Sequence, residues 1–492
     1  MEEYFDQFRE NIIGLNTTID MPYGANKRVL YGDWTASGRN YGPIEKRIAE
    51  DFMPLVANTH TETNSTGMAM TYAYAKAKKI IKAHVNAKDT DVLLSCCSGM
   101  TGVINKFQRI LGFRIHERYK SDITLTPEER PVVFVTHMEH HSNQTSWLET
   151  IAEVVIVEPN SEGLVCIENF KSTLAKYQDR PLKIAAITSC SNVTGIMTNY
   201  HAMAKEIHLV GGLCFVDFAC SAPYVSIDMH PEDELEKLDA IYFSPHKFLG
   251  GPGTTGILVF DKKLYHNQVP DNPGGGTVDF TNPWGHHKFV DNIEAREDGG
   301  TPAFLQTIKV ALCVNLKEQM GVKNILAREE EMLSTVWDKL GQIPNLHILA
   351  KEHSHRLGVI SFYIDGLHYN VGVKMLNDKF GIQTRGGCSC AGTYGHYLLH
   401  VDSESSQQIN DKIMGGDCST RPGWIRMSLH PTMTNADLAL ILDGIVSLAA
   451  HFTEWIDDYV IDHYVGRVVH KSEQETNNLK LRMDRLLEAE LS

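Results

Sequence analysis

One lysine stands between a short apolar strand and a glycine-rich turn near the middle of the chain. The stretch reads Ser244-Pro-His-Lys247-Phe-Leu-Gly-Gly-Pro-Gly, and the apolar residues 240–243 come directly before it. A lysine amine placed there can form a Schiff base with an aldehyde cofactor such as pyridoxal phosphate (PLP). That chemistry also needs a carboxylate facing the pyridine nitrogen and hydrogen-bond donors around the phosphate.

The carboxylate is Asp217, which ends the apolar run 213–217. Asp217 and Lys247 follow two separate predicted strands, so their side chains can meet at one edge of a sheet. An ionised aspartate opposite the ring nitrogen keeps that nitrogen protonated, which makes the ring an electron sink for a carbanion at the substrate Cα. An aspartate that only caps a turn is the alternative, and the pairing with Lys247 argues against it.

Phosphate donors are predicted at the turn 98–102, which joins a predicted strand to a predicted helix. Backbone amides at a helix N-terminus, together with a threonine hydroxyl, can bind a phosphate. Glycine and threonine at such a turn can also be ordinary turn and cap residues. The predicted phosphate-binding residues are Gly99, Met100, Thr101, Ser244 and His246.

Two adjacent histidines, His140 and His141, come directly after the predicted strand 132–136. An imidazole in that position can stack on the pyridine face and relay protons. Histidines of a polar loop are the alternative interpretation.

The overall composition favours an acidic soluble protein. The 492 residues carry 61 acidic and 46 basic side chains, for a net charge of -15, which argues against nucleic acid or an anionic membrane as a partner. The N-terminus has no pattern of a signal or transit peptide, and no uncharged run has membrane-spanning length. Ten irregularly spaced cysteines suggest a reducing cytoplasm, and they do not have the spacing of a zinc site, so no metal is expected.

Between about residues 65 and 262, helical patterns alternate with short apolar runs, which predicts a mainly parallel α/β sheet covered by helices. We expect the strands at 92–95, 132–136, 154–157, 184–188, 213–216, 240–243 and 256–260. Helices are expected at 65–85, 99–111 and 304–320.

The remainder is predicted as a smaller α+β domain with strands at 347–349, 359–363 and 424–428. The segment 270–284 is predicted to be a loop because it is rich in Gly, Pro and Asn, and the end from Ser472 onward a solvated helix. The expected division of the chain is an N-terminal segment 1–40 packing on the small domain, a large cofactor domain 41–320 and a small domain 321–492.

Together these motifs resemble the class V aminotransferase superfamily of PLP enzymes, and most of all its cysteine desulfurase and selenocysteine lyase branch. The resemblance runs in order from about Gly32 to Pro431. It implies a fold-type-I homodimer with a seven-stranded sheet in the large domain. It also implies that Lys247 carries the cofactor, His140 stacks on it and Asp217 faces its ring nitrogen.

Further roles follow from the same resemblance. Asn192 would lie beside the cofactor ring and the substrate carboxylate, while Arg426 and Arg385 would bind the amino-acid substrate. A Gly-Thr-Pro segment implies that Thr301 reaches the phosphate in the neighbouring subunit. Cys390 matches the nucleophilic cysteine that would take sulfur and pass it to an acceptor protein.

The sequence also departs from the family pattern. Cys220 stands where desulfurases have a glutamine that contacts the cofactor's phenolic oxygen, and Cys388 is an extra thiol beside Cys390. The segments 285–298 and 395–423 are longer than expected. Two alternatives therefore stay open: an aminotransferase or lyase without persulfide chemistry, and a catalytically silent scaffold for binding or sulfur relay.

Overall fold

A computed structural model describes residues 1–59, 61–462, 466–473 and 478–490. Its helices in chain order are α1 (Glu2–Arg9), α2 (Gly42–Arg47), α3 (Ser65–His84), α4 (Met100–Ile110), α5 (His141–Leu148), α6 (Ile167–Ala175), α7 (Tyr200–Leu209), α8 (Ile293–Arg296), α9 (Phe304–Met320), α10 (Val322–Leu340), α11 (Tyr369–Phe380), α12 (Gly392–Leu398), α13 (Ser403–Met414), α14 (Asn435–Trp455) and α15 (Asn478–Glu488).

The strands are β1 (Thr18–Met21), β2 (Gly24–Arg28), β3 (Leu30–Tyr31), β4 (Asp91–Cys96), β5 (Val132–Thr136), β6 (Glu153–Val157), β7 (Lys183–Thr188), β8 (Leu213–Asp217), β9 (Ala240–Phe243), β10 (Gly256–Asp261), β11 (Val278–Thr281), β12 (His287–Phe289), β13 (Leu346–Ile348), β14 (Val359–Ile364), β15 (Ile382–Gln383), β16 (Arg385–Gly387), β17 (Trp424–Ser428), β18 (Tyr459–Asp462) and β19 (Arg467–His470).

Seven strands form the central sheet in the order β4-β10-β9-β8-β7-β5-β6. Neighbouring strands from β5 to β9 are parallel, and β10 is antiparallel to both of its neighbours. Most positions of β5, β7, β8 and β9 are buried, as expected for apolar strands covered on both faces. The predicted α/β class and the mainly parallel seven-stranded sheet are confirmed.

The direction of the strands places the chemically interesting residues. Strands β4, β5, β7, β8 and β9 all end at the same edge of the sheet, because only β10 runs the other way. In an open α/β sheet, ligands bind in the crevice outside the carboxyl ends of the strands. The predicted lysine, aspartate, histidine and phosphate-binding residues all follow those ends.

A second, four-stranded antiparallel sheet in the order β13-β14-β17-β16 lies in the C-terminal part. Helix α11 packs on β16 and β17, and α14 packs on α11. The short pairing of β3 with β15 joins the N-terminal segment to this region. Three strands of the sheet were predicted. The fourth, β16 (Arg385–Gly387), was missed because two of its three residues are glycines, which are poor strand formers.

The prediction of a loop over 270–284 was wrong in part. Residues of β11 pair antiparallel with β12 to form a hairpin that extends into the longer segment 285–298. Its turn is built by Asn282, whose Oδ1 accepts hydrogen bonds from the N–H groups of Trp284 and His286, both at 3.0 Å. An asparagine that closes a turn in this way supports a hairpin, and Val, Phe and Thr of β11 are good strand formers. The predicted C-terminal helix agrees with α15, although residues 474–477 lie outside the described chain.

Helix α14 is the one helix among the described residues that is long and apolar enough to cross a membrane by length and composition. Half of that stretch is buried inside the chain, and α14 packs against α10 and α11. Residues Ile441, Leu442, Ile445 and Leu448 of this helix are almost fully buried in the core. The packing is that of a core helix.

The domain boundaries stay predictions.

Candidate active site

The carboxyl ends of the central strands surround a cavity of about 240 Å³. Every predicted site residue lines this cavity except Gly99 and Thr301. The structure adds residues that sequence patterns did not identify. These are Thr35, Ala36, Ser142, Thr188, Cys190, Ala219 and Ser389.

Lys247 lies in a single turn of 3-10 helix after β9 and is partly exposed to the cavity. Burial lowers the pKa of its ammonium, and the nearby cations of Arg426 and Arg385 act in the same direction, while Cys220 and Asp217 oppose them. A lysine with a lowered pKa has a larger fraction of the neutral amine that attacks an aldehyde. The lysine is therefore suited to carry a carbonyl cofactor.

Asp217 ends β8 and is 3% exposed. Its Oδ1 accepts a hydrogen bond of 2.8 Å from the backbone N–H of Ala219, and burial raises the pKa of the carboxyl to about 6. Burial disfavours the charged form of Asp217, so a cation opposite the carboxylate would stabilise its ionised form. A protonated pyridine nitrogen is such a cation.

His140 is the N-cap of α5, and its ring fixes the start of that helix. The Nδ1 atom accepts a hydrogen bond of 3.1 Å from the N–H of Ser142, so the neutral ring carries its proton on Nε2. Burial and the neighbouring Lys247 lower the pKa of His140 to about 3. The imidazole is thus neutral at ordinary pH and has a flat face for stacking.

Glu139, which sequence reasoning did not single out, anchors the chain directly before His140. Its buried carboxyl accepts hydrogen bonds from Thr136 Oγ1 at 2.7 Å, from the N–H of Thr188 at 2.8 Å and from Asn143 Nδ2 at 2.8 Å. These donors belong to β5, β7 and α5. The position of Glu139 between the end of a predicted strand and His140 was the feature of the sequence that could have identified it.

The turn before α4 forms the other end of the cavity. Ser244 Oγ accepts a hydrogen bond of 2.8 Å from the N–H of Met100, and Thr101 Oγ1 lies 2.7 Å from Ser142 Oγ. A Cβ at Gly99 would lie 3.2 Å from Ser244 Oγ and 3.7 Å from His246 Nε2, so any larger residue would fill the space above the helix start. Glycine keeps that space open for an anion at a helix N-terminus.

These features fit pyridoxal phosphate. Residues at the start of α4 would hold the phosphate, His140 would stack on the ring, Asp217 would complement a ring cation, and Lys247 would supply the amine. Asn192 Oδ1 is buried without a hydrogen-bond partner among the described residues, which marks it as an acceptor kept for a bound group. Thr301 is exposed and does not line the cavity of its own chain.

Two arginines from the second sheet close the cavity opposite Lys247. Arg426 on β17 is 3% exposed, and Arg385 on β16 stands directly across from it in the antiparallel register. Their side chains meet at Asp33, with Arg426 Nη2 2.9 Å from Oδ1 and Arg385 Nε 3.0 Å from Oδ2. Arg426 Nη1 also donates to the carbonyl oxygen of Asn192 at 3.1 Å.

Cys390 reaches the same cavity from the loop after β16. Both Ser389 (φ 52) and Cys390 (φ 57) have left-handed backbone conformations that cost energy in non-glycine residues. The loop is held by two long-range bonds: His141 N–H donates to Cys390 O at 2.7 Å, and Asn192 Nδ2 donates to Ser389 O at 2.7 Å. Cys390 is exposed, whereas Cys388 is partly buried and does not line the cavity.

Cys220 lies at the cavity wall beside Cys190. Both thiols donate to the carbonyl oxygen of Ser191, at 3.7 and 3.6 Å respectively. The neighbouring Cys190 thiol lowers the pKa of Cys220 despite its burial. The position therefore offers a polar sulfur toward the site rather than an inert apolar group.

Comparison with known proteins agrees with this geometry. Curated relatives include the probable cysteine desulfurases of Staphylococcus epidermidis strain ATCC 12228, 27% identical over 370 residues, and of Staphylococcus aureus strain N315, 26% identical over 369 residues. Each alignment covers 74% of this chain and 84% of the relative.

Solved structures share the fold at lower identity. The apo cysteine desulfurase of Thermococcus onnurineus NA1 gives a TM-score of 0.71 at 20% identity, covering 90% of this chain and 98% of that one. The cysteine desulfurase CsdA of Escherichia coli gives 0.68 at 20% identity, covering 91% and 98%. The model of the family described as Aminotransferase class-V matches residues 30–441. The chain therefore belongs to the aminotransferase class-V family and is a PLP-dependent enzyme.

Proposed function

We propose that this enzyme is a cysteine desulfurase or selenocysteine lyase, acting on L-cysteine or its selenium analogue. The observation that carries the proposal is that Lys247, Arg426 and Cys390 line one cavity. An amine, a carboxylate receptor and a thiol are the three groups that such a reaction needs around an amino-acid substrate. The relatives named as probable cysteine desulfurases support the same activity.

Thr101, Ser244 and His246 would hold the cofactor phosphate, and His140 and Asp217 would hold its ring. When bound, the cofactor supplies an electron sink that makes the substrate Cα proton acidic. The Asp217 carboxylate would keep the ring nitrogen protonated. Burial alone disfavours the charged form of Asp217, and the ring cation would offset that cost. Asn192 Oδ1, which lacks a partner among the described residues, would accept a hydrogen bond at the rim of the ring.

Lys247 would first carry the cofactor and then, once the substrate amine has replaced it, take the proton from the substrate Cα. Its lowered pKa suits both tasks, because a neutral amine is needed to accept a proton. The substrate carboxylate would bind the guanidinium groups of Arg426 and Arg385. A planar, doubly hydrogen-bonding cation is the preferred partner of a carboxylate.

Cys390 would accept the sulfur. Its thiolate attacks the substrate sulfur, the S–S bond forms, the Cβ–S bond breaks, and Cβ is protonated. The balance is L-cysteine plus the Cys390 thiol giving L-alanine plus a Cys390 persulfide, with no external oxidant or reductant. A sulfur-acceptor protein or a thiol would then remove the persulfide sulfur.

The proposal includes a homodimer with shared active sites. Thr301 is exposed on the segment before α9 and is far enough from its own cavity not to line it, which supports a role in the neighbouring subunit. All ten cysteines lie in the described part of the chain and are free thiols, which supports the predicted cytoplasmic location.

The deciding experiment is anaerobic incubation of the cofactor-loaded protein with L-cysteine and dithiothreitol, followed by quantification of alanine, sulfide and pyruvate. Equal amounts of alanine and sulfide are expected, and Lys247→Ala should give neither. Pyruvate with sulfide would mean β-elimination instead. Bound cofactor without turnover of either L-cysteine or L-selenocysteine would overturn the proposal and favour another amino-acid substrate.

A further inference from the structure

The two arginines proposed to bind the substrate carboxylate lie side by side, so their positive charges repel each other. Arg385 and Arg426 are directly opposite each other in the pairing of β16 with β17, so their side chains leave the same face of the sheet. Like charges in such a cross-strand pair repel. Arg426 is also buried, at 3% exposure, where an uncompensated charge is costly.

The Asp33 carboxylate offsets the repulsion between the two arginines. One carboxylate oxygen lies 2.9 Å from Arg426 Nη2 and the other lies 3.0 Å from Arg385 Nε. Asp33 itself is 13% exposed at its side chain and does not line the cavity, whereas both arginines do. The carboxylate thus binds the two guanidinium groups from behind and leaves their other N–H groups for a ligand in the cavity.

The backbone fixes Asp33 in this position from both sides. The N–H of Gly32 donates to the carbonyl oxygen of Gln383 at 2.9 Å, and the N–H of Ser428 donates to the carbonyl oxygen of Gly32 at 2.7 Å. The N–H of Thr35 donates to Ser428 Oγ at 2.9 Å. The N-terminal segment is therefore inserted next to the strands that carry the arginines, and its aspartate cannot move away without breaking these bonds.

We infer that Asp33 is a positioning residue that assembles Arg385 and Arg426 into one receptor for the α-carboxylate of the substrate. This inference rests on the carboxylate role in the proposed function. With Asp33 in place, the two arginines and the aspartate sum to one positive charge, which a single carboxylate neutralises. Without it, the guanidinium groups separate by repulsion and the receptor loses its shape.

The test compares two ligands that differ only in the carboxylate: L-alanine and ethylamine. Their dissociation constants are measured on cofactor-loaded wild-type protein, Asp33→Asn and Asp33→Glu, by calorimetric titration and by the change in the visible spectrum. Asp33→Asn should weaken L-alanine binding by roughly 10- to 100-fold and leave ethylamine unchanged. Asp33→Glu keeps the charge and should fall between Asp33→Asn and the wild type.

The chain offers a matched control in Asp437. This buried aspartate also bridges two arginines, Arg9 at 2.6 Å and Arg28 at 2.7 Å, but neither of these arginines lines the active-site cavity. Asp437→Asn removes the same kind of interaction and should leave both dissociation constants unchanged. A purely structural effect would lower the thermal midpoint in both variants and would not separate L-alanine from ethylamine.

The outcomes are distinct. L-Alanine binding as tight in Asp33→Asn as in the wild type, or tighter, overturns the inference. If Asp33→Asn does not fold, Asp33→Ala is measured in its place, and wild-type affinity for L-alanine in that variant overturns it. Failure of the wild type to release alanine from L-cysteine would remove the proposed function, while L-alanine binding would still report on the arginines. A wild type that binds L-alanine no better than ethylamine would remove the carboxylate role itself.

Discussion

The backbone N–H of His141 donates a hydrogen bond of 2.7 Å to the carbonyl oxygen of Cys390. This bond joins the corner that presents His140 to the loop that presents the proposed nucleophile. A second bond in the same place, from the N–H of Gly392 to His141 Nε2 at 2.9 Å, holds the residues after Cys390. The proposed nucleophile is therefore positioned by the part of the chain that surrounds the cofactor site.

The loop geometry predicts a difference between the two neighbouring cysteines. Cys390→Ser should reduce alanine release from L-cysteine to background, because Cys390 lines the cavity and its sulfur is the proposed acceptor. Cys388→Ser should retain most of the activity, because Cys388 does not line the cavity. Mass spectrometry after alkylation should find the added sulfur on Cys390. Full activity of Cys390→Ser would contradict the persulfide step.

Lys247 is predicted to be required for both cofactor attachment and proton transfer. Lys247→Ala should lose the visible absorbance of the attached cofactor and reduce turnover by about 10²- to 10⁴-fold. The control is Lys317→Met. Lys317 is another buried lysine, with a pKa lowered by burial to about 7, and it donates to the carbonyl oxygens of Ala222 and Val225. The control should keep its visible band, and an unchanged band in Lys247→Ala would refute the assignment.

Glu139 is predicted to act through His140 rather than on the substrate. Glu139→Leu removes the acceptor shared by Thr136, Thr188 and Asn143, so each of these buried donors loses a hydrogen bond. A displaced imidazole should lower kcat/KM by about 10- to 100-fold and change the visible maximum of the bound cofactor. Glu139→Gln keeps an acceptor oxygen and should recover part of both. A variant with an unaltered spectrum and rate would show that Glu139 is not needed for positioning.

His430 is predicted to make the protein sensitive to acid. Burial lowers its pKa to about 3, and its ring stacks on Trp34 with centroids 3.9 Å apart. Since the unfolded chain binds this proton near pH 6.5 and the folded chain does not, the stabilisation is present above that pH and is lost as the pH falls toward 3. Between pH 7.5 and pH 5 this single group should cost about 2 kcal/mol.

The measurement is urea unfolding at both pH values for the wild type and His430→Phe. Phenylalanine keeps an aromatic ring beside Trp34 but has no group that can bind a proton. The free energy of unfolding should therefore fall by about 2 kcal/mol more in the wild type than in the variant. Equal losses would show that His430 remains able to bind a proton in the folded state.

The proposed dimer predicts complementation between two inactive variants. A subunit with Lys247→Ala keeps Thr301, and a subunit with Thr301→Glu keeps Lys247, so a mixed dimer contains one site without either change. Such a dimer, purified through two different tags, should regain about half of the wild-type activity. Each variant alone should stay inactive. Mixed dimers without activity would argue that Thr301 does not complete the neighbouring site.

The features that depend on the local order of residues could be predicted from the sequence. Continuous apolar runs predicted the parallel strands, and the polar residues that follow them predicted Lys247, Asp217 and His140 at one edge of the sheet. That inference works because parallel strands in one sheet present their carboxyl ends together. The loop prediction over 270–284 failed because the Gly, Pro and Asn residues on either side of β11 outweighed its Val, Phe and Thr, which are good strand formers, and because the turn at Asn282 could not be seen in the composition.

The contacts between residues far apart in the chain could not be predicted from the sequence and depend on the fold. Asp33 is 352 residues from Arg385 and 393 from Arg426 in the chain, and its partners follow from the insertion of the N-terminal segment beside β17. Likewise, the contact between His141 and Cys390 depends on how the loop after β16 lies against α5. Such contacts are set by the packing of one sheet region on another, and no local pattern of residue types encodes them.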